Sequence, residues 1–250
     1  MTTNITVIGA TGQIGTRVVE LLTAAGHHVT AASRGSGVDA ALGTGLDDTL
    51  AGADVLVDVL NSPTMEDDAA LAFFTGAAAN LTLAAKKAGV RHYVLLSIVG
   101  VDGVDGGGGY LRGKVVQERT VAASGVPFTI VRAAQFHELT ETITGSLIVD
   151  GEVHAPDALI QPIAAAEVAA VIARVATEPP INAVLDVGGP EPMSFADMAT
   201  AVLAAQGNAL PVVVDPSATY FGTPIAATSL VPGADAERGT IPLVDWLASK

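Results

Sequence analysis

A tyrosine, a lysine and a serine in the middle of the chain have the types and the spacing for acid–base chemistry. Tyr110 and Lys114 stand four residues apart, and Ser97 precedes Tyr110 by thirteen residues. Residues at i and i+4 of a helix share a face, so a phenol and an ammonium group there would point into the same crevice. An adjacent cation favours the phenolate form, which is otherwise scarce at neutral pH. The alternative interpretation is an ordinary helix start behind a flexible loop. The loop itself, Gly106–Gly109, would be either a closing lid or part of a decayed site.

The elements that must position these residues alternate between strand and helix patterns. Unbroken apolar runs predict five strands, at 4–9, 28–33, 53–60, 92–100 and 127–133. Apolar residues at helical spacing predict three helices, over 13–26, 66–88 and 110–124. Such repetition is typical of a parallel sheet with helices on both faces. We therefore predict an α/β fold with a Rossmann-type doubly wound parallel sheet.

The pattern loosens after residue 145. It predicts a hairpin with an Asp-Gly turn at 146–153, a helix at 165–177, a strand at 183–189 and a capping box made by Ser194 and Asp197. No linker or internal repeat separates this part from the rest. We predict a single domain over 1–250, in which about 145–250 contribute a smaller, interleaved, substrate-binding cap.

The first strand is followed by a glycine-rich turn that opens a helix, which is the context of a dinucleotide-binding site. Its glycines are Gly9, Gly12 and Gly15, and Thr11, Gln13 and Ile14 stand between them. Glycine lets the backbone approach a pyrophosphate, and a helix N-terminus supplies free N–H groups and a positive dipole end. The alternative is a mere tight loop.

The end of the second strand indicates which dinucleotide is bound. An NAD site usually places an acidic residue there for the ribose 2′-hydroxyl, whereas this chain has Ser33 and Arg34. A guanidinium and a hydroxyl suit a 2′-phosphate, so we predict NADP(H). Asp39, which lies somewhat further on, is an alternative ribose ligand, and Arg34 would then be an ordinary exposed arginine.

The chain resembles the short-chain dehydrogenases/reductases, in particular their atypical, extended-like branch with NmrA-like and isoflavone-reductase-like proteins. The resemblance rests on the segments "GATGQIG", "KKAGVRHYVLLS", "YLRGKVVQE" and "FTIVRAAQFHE", which occur in the family's order. It covers about residues 4–140 well and the remainder loosely.

This resemblance implies a catalytic triad of Ser97, Tyr110 and Lys114. In the family the serine orients the substrate carbonyl, the tyrosine donates the proton, and the lysine holds the nicotinamide ribose and lowers the phenol's pKa. Asn61 and Ser62 fall where the family passes near the cofactor riboses, although "NSP" is equally typical of a simple turn.

On the substrate side, Val99, Phe136 and His137 follow two of the predicted strands and are candidates for lining the pocket. A lone histidine is more often structural than a proton donor, so His137 is also interpreted as a packing residue.

Composition excludes several classes of function. A net charge of −14 opposes binding to nucleic acid and to anionic membranes. The chain has no cysteine, and its five histidines show no metal-ligand spacing, so we expect neither disulfides nor a metal site. The most apolar stretch, 69–85, is interpreted as too short and too polar for a membrane span. The start lacks a signal-peptide pattern, so we expect a soluble cytoplasmic protein.

We expect an NADPH-dependent oxidoreductase that transfers hydride to a small, hydrophobic carbonyl substrate, with Tyr110 as proton donor. Two alternatives stay open. One is an NADPH:quinone reductase, which would not need the tyrosine, and the other is a non-catalytic NADP(H) sensor. The sequence indicates neither the natural substrate nor the oligomeric state.

Overall fold

The computed structural model describes residues 2–102 and 108–250 and divides the chain into two compact units. Unit 1 comprises Met1–Ser97, Gly107–Arg132 and Ala166–Leu185, and unit 2 comprises Ile98–Gly106, Ala133–Ala165 and Asp186–Lys250. Unit 2 therefore takes in most of the predicted cap together with two earlier segments. Gly106 and Gly107, half of the glycine run before Tyr110, lie outside the described residues.

The described chain alternates strands and helices. The strands are β1 Asn4–Ile8, β2 His28–Ala32, β3 Val55–Asp58, β4 His92–Ile98, β5 Phe128–Ala133, β6 Ile148–Val149, β7 Glu152–Ala155, β8 Leu159–Ile160, β9 Ala183–Gly188, β10 Met193–Ser194, β11 Val212–Val214 and β12 Glu237–Arg238. The helices are α1 Gln13–Ala24, α2 Leu46–Leu50, α3 Asp67–Ala88, α4 Gly109–Ala123, α5 Thr140–Ser146, α6 Ala165–Val175, α7 Phe195–Ala205 and α8 Leu243–Ala248. Short 3-10 turns lie at Arg34–Ser36 and His137–Leu139.

A seven-stranded parallel sheet runs in the order β12-β9-β5-β4-β3-β1-β2. Strand β2 lies on one side of β1, and β3 lies on the other side. The strand order therefore reverses between β1 and β3. Such a reversal opens a crevice at the carboxyl ends of the strands. This architecture confirms the predicted doubly wound α/β fold.

The register of the strands brings their carboxyl ends to one level. Ile8 of β1 pairs with Ala32 of β2 and with Asp58 of β3. Asp58 in turn pairs with Leu95 of β4. The turns after β1, β2 and β3 and the end of β4 therefore meet at the same edge of the sheet in unit 1.

The core of unit 1 lies between the sheet and its helices. Helix α1 buries Ile14, Val18 and Leu22, the apolar positions that predict it. Apolar residues of α3 such as Phe74 and Leu81 are fully buried. Burying such side chains stabilises the fold by about 1.5–3 kcal/mol each.

Helix α3 corrects one expectation. It spans 22 residues, and by length and composition alone it is long and apolar enough to cross a membrane. The interpretation of 69–85 as too short is therefore wrong, because the helix extends beyond that stretch at both ends. A helix with one face in the core passes the same test, and α3 buries Ala70, Phe74 and Ala77 in this way.

Unit 2 has its own apolar core, which includes Ile143, Phe195 and Met198. Strands β6 and β7 form the predicted hairpin, and its two turn residues Asp150 and Gly151 have φ angles of 50° and 86°. Two positive φ angles define a type I′ turn, which matches the twist of the flanking strands.

The predicted cap of α7 is formed in part. Ser194 Oγ accepts a hydrogen bond from the Asp197 N–H (2.9 Å). It also donates one to Asp197 Oδ2 (2.7 Å), so the carboxylate bonds the hydroxyl and not the backbone of Ser194. The short helices α2, α5 and α8 are not predicted by the sequence, because fewer than eight residues give too little periodicity to recognise.

Candidate functional site

The turn after β1 requires glycine at two positions. Gly9 has a φ of +87°, and a Cβ there would lie 2.9 Å from the Val59 carbonyl oxygen. A Cβ on Gly15 would lie 2.1 Å from the Gly9 carbonyl oxygen. The first glycine lets the turn pass close to the end of β3, and the other lets α1 start directly against the turn.

The first turn of α1 fits a phosphate group. Gly12 is its N-cap, with extended backbone and no side chain to cap the helix. Within the described chain, the N–H groups of Gln13, Ile14 and Gly15 have no acceptor. Thr11, Gly12 and Gln13 are exposed, so these donors and the positive end of the helix dipole face an open turn.

The end of β2 presents an exposed cation. Ser33 is half-buried, and its carbonyl oxygen accepts hydrogen bonds from the Ser36 N–H and hydroxyl, which fixes the tight turn. Arg34 is exposed and its guanidinium makes no hydrogen bond to any described residue. Asp39, the alternative ribose ligand, accepts the Leu42 N–H on Oδ1 (3.1 Å). The geometry therefore leaves Arg34 the more available of the two charged groups.

Asn61 and Tyr110 are brought together at the end of β3. The Tyr110 hydroxyl donates a hydrogen bond to Asn61 Oδ1 (2.7 Å). Ser62 Oγ accepts the Thr64 N–H (3.3 Å), as expected for a simple turn. The two residues singled out after β3 therefore differ: the amide of Asn61 contacts the candidate proton donor, and Ser62 shapes the loop.

Two of the glycines before Tyr110 belong to a packed helix start. A Cβ on Gly109 would lie 1.8 Å from the Asp67 carbonyl oxygen, and one on Gly108 would lie 2.8 Å from Asp67 Oδ1. The Asp67 carboxylate accepts the Gly109 N–H (2.7 Å) and lies at the positive end of α4. The start of α4, and with it Tyr110, is thus fixed by the start of α3.

Tyr110 and Lys114 lie on the same face of α4, because both contact Phe74 of α3. The Phe74 and Tyr110 rings meet edge to face at 5.2 Å. Lys114 Nζ lies 4.9 Å from the centre of the Phe74 ring, a cation–π distance. A Cβ on Gly113 would lie 2.8 Å from Phe74, so the small residue lets the two helices approach.

The ammonium group of Lys114 is buried beside the end of β4. Its Nζ donates to the Leu96 carbonyl oxygen (2.7 Å) and to Gln117 Oε1 (2.6 Å). Burial lowers the pKa of Lys114 from 10.5 to about 8, while the carboxylates of Asp58 and Glu118 oppose that shift. Lys114 is therefore still charged at neutral pH.

The phenol of Tyr110 differs from what the resemblance implies. Burial raises the pKa of Tyr110 to about 12. Burial is the cause of this shift, and the Lys114 ammonium group donates its hydrogen bonds to Leu96 and Gln117 and not to the phenol. At neutral pH the phenol therefore holds its proton.

Ser97 ends β4 with a buried hydroxyl. Its side chain is 2% exposed, and Oγ has no hydrogen-bond partner in the described part of the chain. A buried hydroxyl without a partner is costly, so such groups often mark a ligand site. Ser97 follows Leu96, whose carbonyl oxygen holds Lys114.

A second set of polar residues lies beneath this site and was not predicted. Asp58 is fully buried and bonds to Tyr93 and Gln117, and Gln117 bonds to Lys114. Burial raises the pKa of Asp58, and it raises that of Tyr93 well above the ordinary value. The signal in the sequence was the lone acid in the apolar run "VLVDVL", since a buried carboxylate needs partners.

The three substrate-side candidates belong to unit 2. Val99 is buried, and its N–H donates to the Ala133 carbonyl oxygen. Phe136 is half-buried and bridges to Ile163. His137 is fully buried, with Nε2 3.1 Å from the Pro162 carbonyl oxygen and its ring edge to face with Trp246. These contacts favour packing for His137, and lining of a substrate pocket stays a prediction for all three residues.

Comparison with known proteins shows the family of the chain. A family model described as NAD(P)H-binding matches residues 9–179, more than half of the chain. The chain belongs to this NAD(P)H-binding family. The NAD(P)H-binding character that the resemblance implies is thereby confirmed.

One curated relative is a (4-alkanoyl-5-oxo-2,5-dihydrofuran-3-yl)methyl phosphate reductase from Streptomyces griseus. It is 36% identical over 144 residues, which are 53% of this chain and 48% of the relative. The chain therefore spans about half the length of the curated relative that it matches.

Two solved structures share the fold. A nucleoside-diphosphate-sugar epimerase from Staphylococcus aureus is 17% identical over 98% of this chain and 99% of that chain, with a TM-score of 0.74. An NADPH-dependent quinone oxidoreductase from Escherichia coli is 19% identical over 98% of each chain, with a TM-score of 0.65. At these identities the likeness concerns the fold alone.

Proposed function

We propose that the protein is an NADPH-dependent reductase of small, hydrophobic carbonyl compounds, with Tyr110 as the proton donor. Four features of unit 1 support the proposal: the open first turn of α1, the unpartnered hydroxyl of Ser97, the protonated phenol of Tyr110 and the charged Lys114. Each is a group that a hydride transfer to a carbonyl needs.

The residues divide into binding and chemical roles. Backbone N–H groups of Gln13, Ile14 and Gly15 would hold the pyrophosphate, and Arg34 would hold the 2′-phosphate. Lys114 would hold the nicotinamide ribose. The cofactor, when bound, would supply a hydride for the carbonyl carbon of the substrate.

The proton comes from the protein. Ser97 Oγ would donate a hydrogen bond to the substrate carbonyl oxygen, and Tyr110 would transfer its proton to that oxygen as negative charge develops there. The product is an alcohol. With a pKa of about 12 the donor is fully protonated at neutral pH, but it is a weaker acid than an ordinary phenol.

A quinone reductase is the second candidate function. It is favoured by the placement of Lys114, which does not assist Tyr110, and by the pKa of about 12 that the phenol retains. A quinone accepts hydride without needing a proton from Tyr110.

A non-catalytic NADP(H) sensor is a further alternative, in which the cofactor binds and no substrate turns over. Under all three proposals the partner is a small molecule, and we expect the protein to act in the cytoplasm.

Tyr110→Phe distinguishes these functions. We expect purified wild-type protein to oxidise NADPH with a panel of hydrophobic ketones and the variant to lose that activity by roughly 100- to 10,000-fold. NADPH affinity should stay within a few-fold of wild type. Tyr220→Phe, which removes a phenol hydroxyl in unit 2, is the matched control.

Three other outcomes have clear meanings. Quinone reduction that survives Tyr110→Phe, without ketone reduction by the wild type, would replace the carbonyl proposal by the quinone one. NADPH binding without turnover of either class would favour the sensor. Equal ketone rates for the wild type and Tyr110→Phe would remove Tyr110 from the chemistry.

A further inference from the structure

Asp58 is a buried carboxylate that no cation of the described chain contacts directly. It ends β3 and is fully buried. Oδ1 accepts the Leu60 N–H (3.1 Å), and Oδ2 accepts the Tyr93 hydroxyl (2.8 Å) and Gln117 Nε2 (2.9 Å). Three donors of this kind keep a carboxylate in place, but they leave its charge without a counter-ion.

Gln117 links this carboxylate to Lys114. Its Nε2 donates to Asp58, and its Oε1 accepts from Lys114 Nζ (2.6 Å). A glutamine between an anion and a cation has only one favourable amide orientation, since the reverse would place donor against donor. Gln117 thus joins opposite charges on β3 and α4 through one side chain.

Lys114 keeps one N–H that bonds to none of the described residues. An ammonium group has three N–H bonds. One is used by the Leu96 carbonyl oxygen (2.7 Å) and one by Gln117. With two bonds fixed, the direction of the third is fixed as well.

We propose that Asp58 and Gln117 are positioning residues for Lys114: Asp58 keeps the buried lysine in its ammonium form, and Gln117 aims the remaining N–H at the cofactor ribose. The second half rests on the proposed function, in which Lys114 holds that ribose. The first half depends only on the hydrogen bonds and burial of unit 1.

The other charges around Lys114 do not replace Asp58. Glu118 on α4 is engaged by Arg132, with contacts of 2.9 and 2.6 Å. Tyr93 on β4 and Tyr110 on α4 have raised pKa values and are neutral in the physiological range. From α3 the neighbour is the ring of Phe74. Asp58 is therefore the carboxylate available to balance the lysine.

Asp58→Asn tests this assignment in the full-length protein, with NADPH as the probe and no substrate present. We expect the wild type to lose NADPH affinity as the pH rises through about 8, where Lys114 loses its proton. The variant should do so about one pH unit lower, which makes its NADPH affinity about fivefold weaker than that of wild type at pH 8 and nearly equal at pH 6.

A double-mutant cycle separates positioning from general damage. In a Lys114→Met background, Asp58→Asn should have no further effect on NADPH affinity. Gln117→Met, which keeps the length of the side chain, should weaken NADPH binding only when Lys114 is present. An equal loss with and without Lys114, or an unmoved pH profile, would overturn the proposal. The Gln117→Met cycle gives the same decision if Asp58→Asn does not fold.

A second readout needs no cofactor, so it still applies if the proposed function fails. A buried lysine with a lowered pKa makes the folded state more stable as the pH rises above that pKa, because the unfolded chain still binds the proton. The free energy of unfolding of the wild type should therefore rise relative to that of Lys114→Met from about pH 8 upward. With Asp58→Asn in both chains, that change should begin about one unit lower, and an unchanged onset would refute the counter-ion role.

Discussion

Among the single residues of the candidate site, burial shifts the pKa values of Tyr110 and Lys114 in opposite directions, and both groups keep their protons at neutral pH. Tyr110, with a pKa of about 12, holds its proton, and Lys114, with a pKa of about 8, holds its charge at neutral pH. A protonated phenol is ready to give a proton and is a poor base. At neutral pH the phenol of Tyr110 is therefore available as an acid and not as a base.

Arg34 carries a prediction about the choice of cofactor. Arg34→Ala should weaken NADPH binding by roughly 10- to 100-fold, since a hydrogen bond to a charged group contributes about 1.5–3 kcal/mol. NADH has no 2′-phosphate, so its affinity should change little. Titration of wild type and variant with both nucleotides measures the ratio.

Arg91→Ala is the matched control for this prediction, because it removes the same charge elsewhere in unit 1. Arg91 pairs with Asp54 at the amino edge of the sheet (2.6 Å). Its removal should leave the NADPH preference intact. An equal loss for NADPH and NADH in Arg34→Ala would show that Arg34 does not read the 2′-phosphate.

The sequence predicts some of these residues and not others, for a physical reason. Gly9, Arg34 and the Tyr110–Lys114 pair stand out because local spacing defines them. The Asp58–Gln117 bond joins residues 59 positions apart. It depends on how β3, β4 and α4 come together, and no local pattern encodes that contact.

At the scale of secondary-structure elements, the site depends on the close approach of α3 and α4. Gly109→Ala should destabilise the protein by roughly 1–3 kcal/mol, because its Cβ would overlap the Asp67 carbonyl oxygen and push the start of α4 outward. Carbonyl reduction should fall as well, since Tyr110 is the next residue. Urea unfolding and steady-state kinetics on the same sample test both effects.

Gly145→Ala supplies the contrasting case. Gly145 lies in α5 of unit 2, and a methyl group added there would meet no described atom within 4 Å. Replacing a helical glycine by alanine at this position should stabilise the protein by about 0.5–1 kcal/mol. If Gly109→Ala were as stable as wild type, the packed helix start would be wrong and the glycines would act as a loop.

The elements themselves were largely predictable. Predicted β1, α1 and α3 match the observed elements to within about two residues, because their apolar periodicity and their glycine stops agree. The small sheets of unit 2 were not predicted beyond the hairpin. Their strands are two to four residues long, and β11 joins β7 from a distant part of the chain.

At the scale of the whole molecule, His92 couples the fold to pH. It is 3% exposed, with Nε2 2.9 Å from Thr129 Oγ1. Burial lowers the pKa of His92 from 6.5 to about 4. Between these values the unfolded chain binds a proton that the folded protein does not, so stability is lost as the pH falls from 6.5 towards 4.

This loss should amount to as much as roughly 3 kcal/mol and should level off below pH 4. Urea unfolding at intervals between pH 7 and pH 4 measures it. His92→Gln should flatten the dependence, whereas His28→Gln, at an exposed position, should not. An identical slope for wild type and His92→Gln would assign the acid sensitivity to other groups.

The alternation of the two units along the chain has a consequence for biosynthesis. The backbone passes from one unit to the other five times, and unit 1 receives its last segment, Ala166–Leu185, long after Ser97. At about 5–20 residues per second, a ribosome needs roughly 4 to 18 s to cover the 88 positions from 97 to 185. During that interval the surface that buried Val168 and Ile172 will cover stays open to chaperones and proteases. A fragment that contains every predicted cofactor ligand but stops before Ala166 would keep that surface uncovered permanently.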